Sequence, residues 1–222
     1  MKVPASLRAG LVLAGFVGVG LAAVALVYEQ THERISAAER QVVLDRLEAV
    51  LPHEYDNAPE EAAYRRPTPV PGGEPLRIFP AFSGDTFTGT AVEVTTPEGY
   101  SGTIRLLIGL DPEGRILGVR TVAHRETPGL GDAIEADRSD WIHGFDGHSL
   151  DNPPEPQWRV AQDGGEFDGI TGATITARAV IDAVREVLVD FAADPNAYRG
   201  VEEADDGEPA PLDGAQTEGP AQ

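Results

Sequence analysis

The spacing of apolar positions changes several times along this chain, and each change predicts a different element. Ala9 to Tyr28 is an uncharged run of 20 residues dominated by Leu, Val, Ala and Gly, about the length that a helix needs to cross the hydrocarbon of a bilayer. From Glu29 to Leu51 there is no Gly or Pro, and Ile35, Val42, Leu47 and Leu51 recur near helical spacing. The helix is therefore expected to continue as an amphipathic stalk, its charged face solvated, until Pro52. Residues 53–74 carry Pro, Glu and Ala without a period, which predicts a connecting loop and places the stalk and linker together at 29–75. From Leu76 to Ala123 short β-type runs take over, among them Phe87 to Thr95, Thr103 to Leu110 and Arg115 to Ala123, with Asp111-Pro112-Glu113-Gly114 as a turn between the last two. An antiparallel meander follows from that order. Gly131 to Phe145 reads as a helix. Ile175 to Phe191 reads as a second, with Ile175, Val180, Val184, Leu188 and Phe191 along one apolar face. Helices covering an antiparallel sheet make an α+β domain, here 76–196. Residues 197–222 hold Glu202-Glu203, Asp205-Asp206, several Gly and Pro and almost nothing apolar, so they are expected to form a disordered acidic tail.

Charge gives the N-terminal run its direction. Lys2 and Arg8 precede it and Glu29 follows, so residues 1–8 are expected in the cytoplasm and everything after Tyr28 on the other side of a single-pass span. A cleaved signal peptide is the rival, because Ala23-Val24-Ala25 has the small-x-small form of a cleavage site. The apolar run continues through Leu26 and Val27 past that site, which favours the anchor. Ala14, Gly18 and Ala22 at four-residue spacing suit close packing of another membrane helix, or are the small residues common in such segments. The chain has 37 Asp plus Glu against 17 Lys plus Arg, a formal charge of −20, and this disfavours a nucleic-acid partner. There is no Cys, which excludes disulfides, thiolate nucleophiles, cysteine zinc sites and protein-ligated iron–sulfur clusters. The only Lys is Lys2, so the folded part holds neither a Walker lysine nor a Schiff-base lysine. Redox chemistry would need a borrowed cofactor. His124, His143 and His148 match no zinc spacing and read as surface histidines, with no metal site implied. Trp141 and Trp158 read as packing residues.

The stretch richest in chemistry is Asp168-Gly169-Ile170-Thr171-Gly172-Ala173-Thr174-Ile175-Thr176-Ala177, which places hydroxyls at a helix start. Exposed amide N–H groups and the positive end of the helix dipole favour a phosphate there, and Gly172 and Ala173 leave room for a bulky group. On spacing alone, a Thr cap preceded by a Gly turn explains the same residues. A second stretch, His124-Arg125-Glu126-Thr127-Pro128-Gly129-Leu130-Gly131-Asp132, follows a strand and enters a helix. By itself it is a Pro-Gly turn.

Taken together, the two stretches resemble the FMN-binding domain of the G subunit of Rnf electron-transport complexes, and of its relative, the C subunit of the sodium-pumping NADH:quinone oxidoreductase. The resemblance extends through Gly99-Tyr100-Ser101-Gly102, the Asp111 to Gly118 turn and strand, Gly131-Asp132-Ala133-Ile134-Glu135, Trp141 and the Thr171 to Val180 run. It implies FMN attached by its phosphate to a Thr hydroxyl, in a motif of the form Asp-x-x-Ser/Thr-Gly-Ala-Ser/Thr that a separate flavin transferase reads. Thr174 fills the last position, and Asp168, Thr171, Gly172 and Ala173 fill the others. Thr176 is the competing hydroxyl, read as a capping or supporting group. By the same resemblance Glu126, Thr127, Gly129, Leu130 and Gly131 would wrap the flavin. The family implies an inner-membrane complex that couples electron transfer between ferredoxin and NAD to ion movement, with the domain on the periplasmic side. Other subunits would hold the iron–sulfur centres, and this one would have no catalytic residues and no turnover alone. A covalent link suits that location, because a dissociable cofactor would be lost there by mass action. The alternative is a regulatory or assembly module that binds flavin, or only a phosphate, outside the electron path.

Overall fold

The β-type runs downstream of Leu76 become one antiparallel sheet in the computed structural model, which describes residues 15, 17–18, 20–21, 44–52 and 54–200. Its strands are β1 (Tyr64–Arg66), β2 (Leu76–Ser83), β3 (Thr86–Gly99), β4 (Gly102–Leu110) and β5 (Ile116–Ala123), paired in sequence order. The register sets Ile78 against Val92, Val92 against Ile108 and Ile108 against Val119, a row of fully buried branched side chains across one face. On that face lies the long helix α1 (Thr174–Ala193), which buries Val180, Val184, Val187 and Leu188 against the row. Trp158, Phe145 and Phe167 stack together at the edge of the same core. The expected antiparallel sheet with packed helices is the architecture found. Ile175 departs from its expected face: it is 49% exposed at the start of α1.

The opposite face is also covered. Phe79, Ala81, Ala91 and Leu107 pack against Leu47, Val50 and Leu51 from the end of the expected stalk. Residues 44–48 are helical and 49–50 turn, so the helix stops before Leu51, because the chain there bends to lie across the sheet. The rest of the stalk and the predicted span, 9–28, fall largely outside the described residues. Among the described residues no helix is long and apolar enough to cross a membrane.

Three further expectations are corrected. The 53–74 loop contains edge strand β1, where Tyr64 pairs with Ile78. The hydroxyl of Tyr64 donates to Ala197 O, and Arg66 bridges Asp190 and covers the Tyr198 ring. Three residues held by partners far away in sequence leave no periodic trace. The 131–145 helix is instead two short 3-10 helices, Gly131–Ile134 and Asp140–Phe145. Between them Glu135-Ala136-Asp137-Arg138-Ser139 has nothing large and apolar to bury, and the Ser139 hydroxyl accepts the Trp141 N–H and starts a new turn. The domain also runs past residue 196, since Pro195–Tyr198 forms a 3-10 turn and Tyr198 is fully buried. Its hydroxyl donates to Asp190 Oδ2, and burial together with that carboxylate holds its pKa far above the usual tyrosine value.

Candidate functional site

Three segments meet at the first turn of α1: the β3–β4 hairpin, the loop after β5, and the Asp168 to Thr176 stretch. A single side chain ties them together. Glu126 is 4% exposed, the one buried carboxylate among the described residues. Its Oε1 accepts the Ser101 N–H at 3.0 Å, and its Oε2 accepts the Thr176 hydroxyl at 2.5 Å. The backbone of Glu126 is fixed as well, because its N–H donates to His124 Nδ1 at 3.0 Å. That bond leaves the His124 proton on Nε2, which donates to Glu135 Oε1 at 2.7 Å. Glycines make the room. A Cβ on Gly99 would stand 2.8 Å from Glu126 Oε1, and one on Gly131 would stand 2.7 Å from Glu126 Cβ.

Thr174 is the first residue of α1. The residue before it, Ala173, offers no side-chain cap, and the first turn holds no acid, so the N–H groups at this helix start are left for another acceptor. Gly172 has φ +80°, which favours glycine, and a Cβ there would meet Leu130 Cδ2 at 3.0 Å. The two sequence motifs are thus neighbours in space. Thr174 is partly exposed, while Thr176 is fully buried. Of the capping and supporting roles expected of Thr176, capping is not found, because its hydroxyl points to Glu126. Asp168 and Thr171 are exposed, and the Asp168 carbonyl accepts the Trp141 Nε1–H at 2.7 Å. Trp141 therefore holds the motif in addition to packing edge-on to Phe145, whereas Trp158 is core. In the other loop, the Thr127 carbonyl accepts the N–H groups of Leu130 and Gly131, and Gly129 turns at φ +79°.

Electrostatics at the helix start are simple. Arg178, one turn into α1, binds Asp163 through two bonds of 2.7 and 2.9 Å, and this pairing holds the Asp163 carboxyl below its usual range. Tyr100, Leu130 and Ile175 are exposed large apolar residues, one on each converging segment. A cavity of about 370 Å³ lies beside the motif, lined by Trp141, Phe145, Phe167 and Asp168. Another of about 370 Å³ runs along the Ile175 and Ala179 side of α1. The arrangement offers a hydroxyl for an ester, free amides for phosphate oxygens and an apolar rim for a planar ring.

Of the predicted wrapping residues, Glu126 does not face outward; it supports the site from beneath. His124 is not the surface residue that its sequence neighbours suggest, since its side chain is 10% exposed and grips that loop. No group of three or more His, Asp or Glu among the described residues is placed to hold a metal. Sequence reasoning gives Ser101 and Trp141 no functional role; the Gly-Tyr-Ser-Gly hairpin is the only signal pointing to the first.

The FMN-binding domain family matches residues 99–189, and the RnfG N-terminal region family matches residues 1–50. The chain is 43% identical over 201 residues to the G subunit of the ion-translocating oxidoreductase complex of Pseudomonas aeruginosa strain UCBPP-PA14, covering 89% of this chain and 94% of the relative. It is 48% identical to the corresponding G subunit of Stutzerimonas stutzeri over 76% of this chain and 74% of that one. With a Vibrio cholerae serotype O1 G subunit it shares 39% identity over 81% and 87%. Among solved structures, the crystal structure of Shewanella oneidensis NqrC is similar at a TM-score of 0.45 and 24% identity, covering 57% of this chain and 62% of that one.

Proposed function

The chain belongs to the family of G subunits of ion-translocating oxidoreductase complexes, and from that premise we propose that it is an electron-carrying subunit with FMN joined through its phosphate to the Thr174 hydroxyl. The observation that carries this reading is the contrast between two neighbouring hydroxyls. Thr174 stands partly exposed at an uncapped helix start, while Thr176 is buried with its proton committed to Glu126.

The residues present suit such a group. The unclaimed N–H groups at the start of α1 would receive the phosphate oxygens, and Gly172 keeps the approach open. Leu130, Tyr100 and Ile175 offer apolar surface to the ring. Glu126 holds the three segments in register from below, so the hydroxyl and the rim keep one geometry. When bound, FMN supplies the reversible electron chemistry, for which the protein needs neither a nucleophile nor a metal. Ala9 to Tyr28 would anchor the chain once through the membrane with the domain outside the cytoplasm. There it would exchange electrons with neighbouring subunits after loading by a flavin transferase that reads Asp168 to Thr174.

Coexpression with a flavin transferase tests the assignment. Thr174→Val should remain folded and membrane-bound yet show no flavin fluorescence on a denaturing gel and no mass increment, whereas Thr176→Val should keep the label. Asp168→Ala should also fail to load. Full labelling of Thr174→Val, or loss of the label from Thr176→Val alone, would overturn it.

A further inference from the structure

The segment that reads in the sequence as a stalk end and a connecting loop is wired to the sheet throughout its described residues. Residues 49–52 cross the back of the sheet where consecutive strands carry no side chain. A Cβ on Gly109 of β4 would stand 1.7 Å from Val50 O, and one on Gly118 of β5 would stand 3.3 Å from Ala49 O; the Pro52 ring also lies over Gly89 of β3, whose own Cβ would first meet Leu110 O at 2.7 Å. Gly109 and Gly118 are direct partners in the register. Glycine weakens a strand interior, so the paired glycines of β4 and β5 are explained by the close approach of another backbone. Leu47, Val50 and Leu51 fill the hollow beside them.

The attachment continues downstream. Asp56 N–H donates to Phe82 O, and the Asp56 carboxylate accepts the Gly84 N–H. The side chain of Asn57 donates to Pro80 O and accepts from Phe82 N–H, replacing a strand partner on both sides. β1 then joins the sheet edge, Val70 is buried, and Glu74 N–H donates to the Thr95 hydroxyl. A flexible tether makes no such series of bonds. The belt also passes close to the flavin loop: Asp45, Arg46 and Ala49 share one cavity of about 620 Å³ with His124 and Glu135.

We propose that residues 44–75 form a fixed belt that makes the end of the N-terminal segment and the sheet one body, so that no pivot of the electron-carrying domain lies between Leu44 and β2. The position of Thr174 relative to Leu44 is then set by the fold and not by the length of a linker. This inference stands whether or not Thr174 carries the flavin.

The chain has no cysteine, so two introduced ones can be labelled without background. The test places nitroxides at Glu48→Cys and Glu113→Cys, both exposed sites, in the full chain reconstituted in lipid nanodiscs, and measures their distance distribution by double electron–electron resonance. A single narrow distribution is expected. Leu47→Asp, which alters the belt alone, and Gly109→Val, which blocks its seat, should broaden it, and Gly109→Val, which leaves the Arg46–Leu47 bond unaltered, should raise trypsin cleavage there by about tenfold or more. A broad distribution in the parent protein would overturn the proposal, and so would a distribution that stays narrow in folded Leu47→Asp. Failure of flavin loading in the parent would count against Thr174 and leave the distance measurement to decide the belt.

Discussion

A carboxylate taken out of water is costly unless its lone pairs are used, and Glu126 meets that condition with a backbone N–H on one oxygen and a hydroxyl on the other. Thr176→Val keeps the shape of the side chain but leaves Oε2 without its donor. The expected loss is about 1–3 kcal/mol, read from urea unfolding of the flavin-loaded protein, and Thr176→Ser should stay close to the parent. Equal stability of the Val and parent proteins would show that the bond contributes nothing net. The importance of Glu126 is legible in the sequence only through the segment that contains it. Its partners lie 25 and 50 residues away, so nothing local states whether the side chain faces a ligand or the interior. The same limit applies to His124, whose acidic neighbours suggest solvent although its ring is folded under the loop. Thr174 and Thr176 are separated by two positions and have the same chemistry. They differ because the first turn of α1 rotates one outward and the other onto Glu126, a difference that follows from the helix beginning at Thr174.

At the scale of elements, what can be read from the sequence is whatever repeats within a few residues. Strands β3, β4 and β5 are runs rich in β-branched and aliphatic residues, and the turn at Asp111 to Gly114 sits where its residues place it, with the Asp111 carboxylate accepting the Glu113 and Arg115 N–H groups. α1 is legible by its 3.6-residue period. Short pieces held by distant partners are not: β1, the two 3-10 turns after Gly131, and the bend at Val50 all depend on surfaces that the rest of the chain supplies. Ile175 shows how a period can mislead at a helix end, because it fits the stripe but stands about half exposed in the first turn of α1. Leu188→Ala removes a side chain 2% exposed in the middle of the core and should cost about 2–5 kcal/mol, while Ile175→Ser should change stability by less than about 0.5 kcal/mol. Thermal unfolding of both variants checks the pair, and equal destabilisation would mean that the end of α1 packs in solution against something further.

For the whole molecule, the sheet has two covered faces, α1 on one and the 44–63 segment on the other, and its β1 edge is closed by the chain's own C-terminal turn. That closure changes where the folded part ends. Composition alone puts the boundary at 196, since the residues beyond are acidic, Gly, Pro and Ala with almost nothing large and apolar; yet Tyr198 is fully buried against Phe191, and Arg66 lies over its ring. Arg199 continues onto the Phe87 ring, and Gly200 N–H donates to the Tyr64 hydroxyl. One aromatic residue in a polar stretch produces no signal in a windowed composition, although it occupies a site prepared by three separate elements. Two truncations separate the readings. Removal of residues 201–222 should leave the unfolding midpoint and flavin stoichiometry unchanged, because nothing in those residues has the apolar content to join a core. Removal from Pro195 onward strips Tyr198 and exposes Phe191, which should cost about 3–5 kcal/mol, the range for deleting a buried aromatic. It should also free Arg66 and Asp190 from their shared partner and loosen β1, and with it one attachment of the belt. Hydrogen exchange at Tyr64–Arg66 reports that loosening directly: faster exchange in the longer truncation alone is the expected result, and protection equal to the parent would show that β1 is held by β2 without the C-terminal turn.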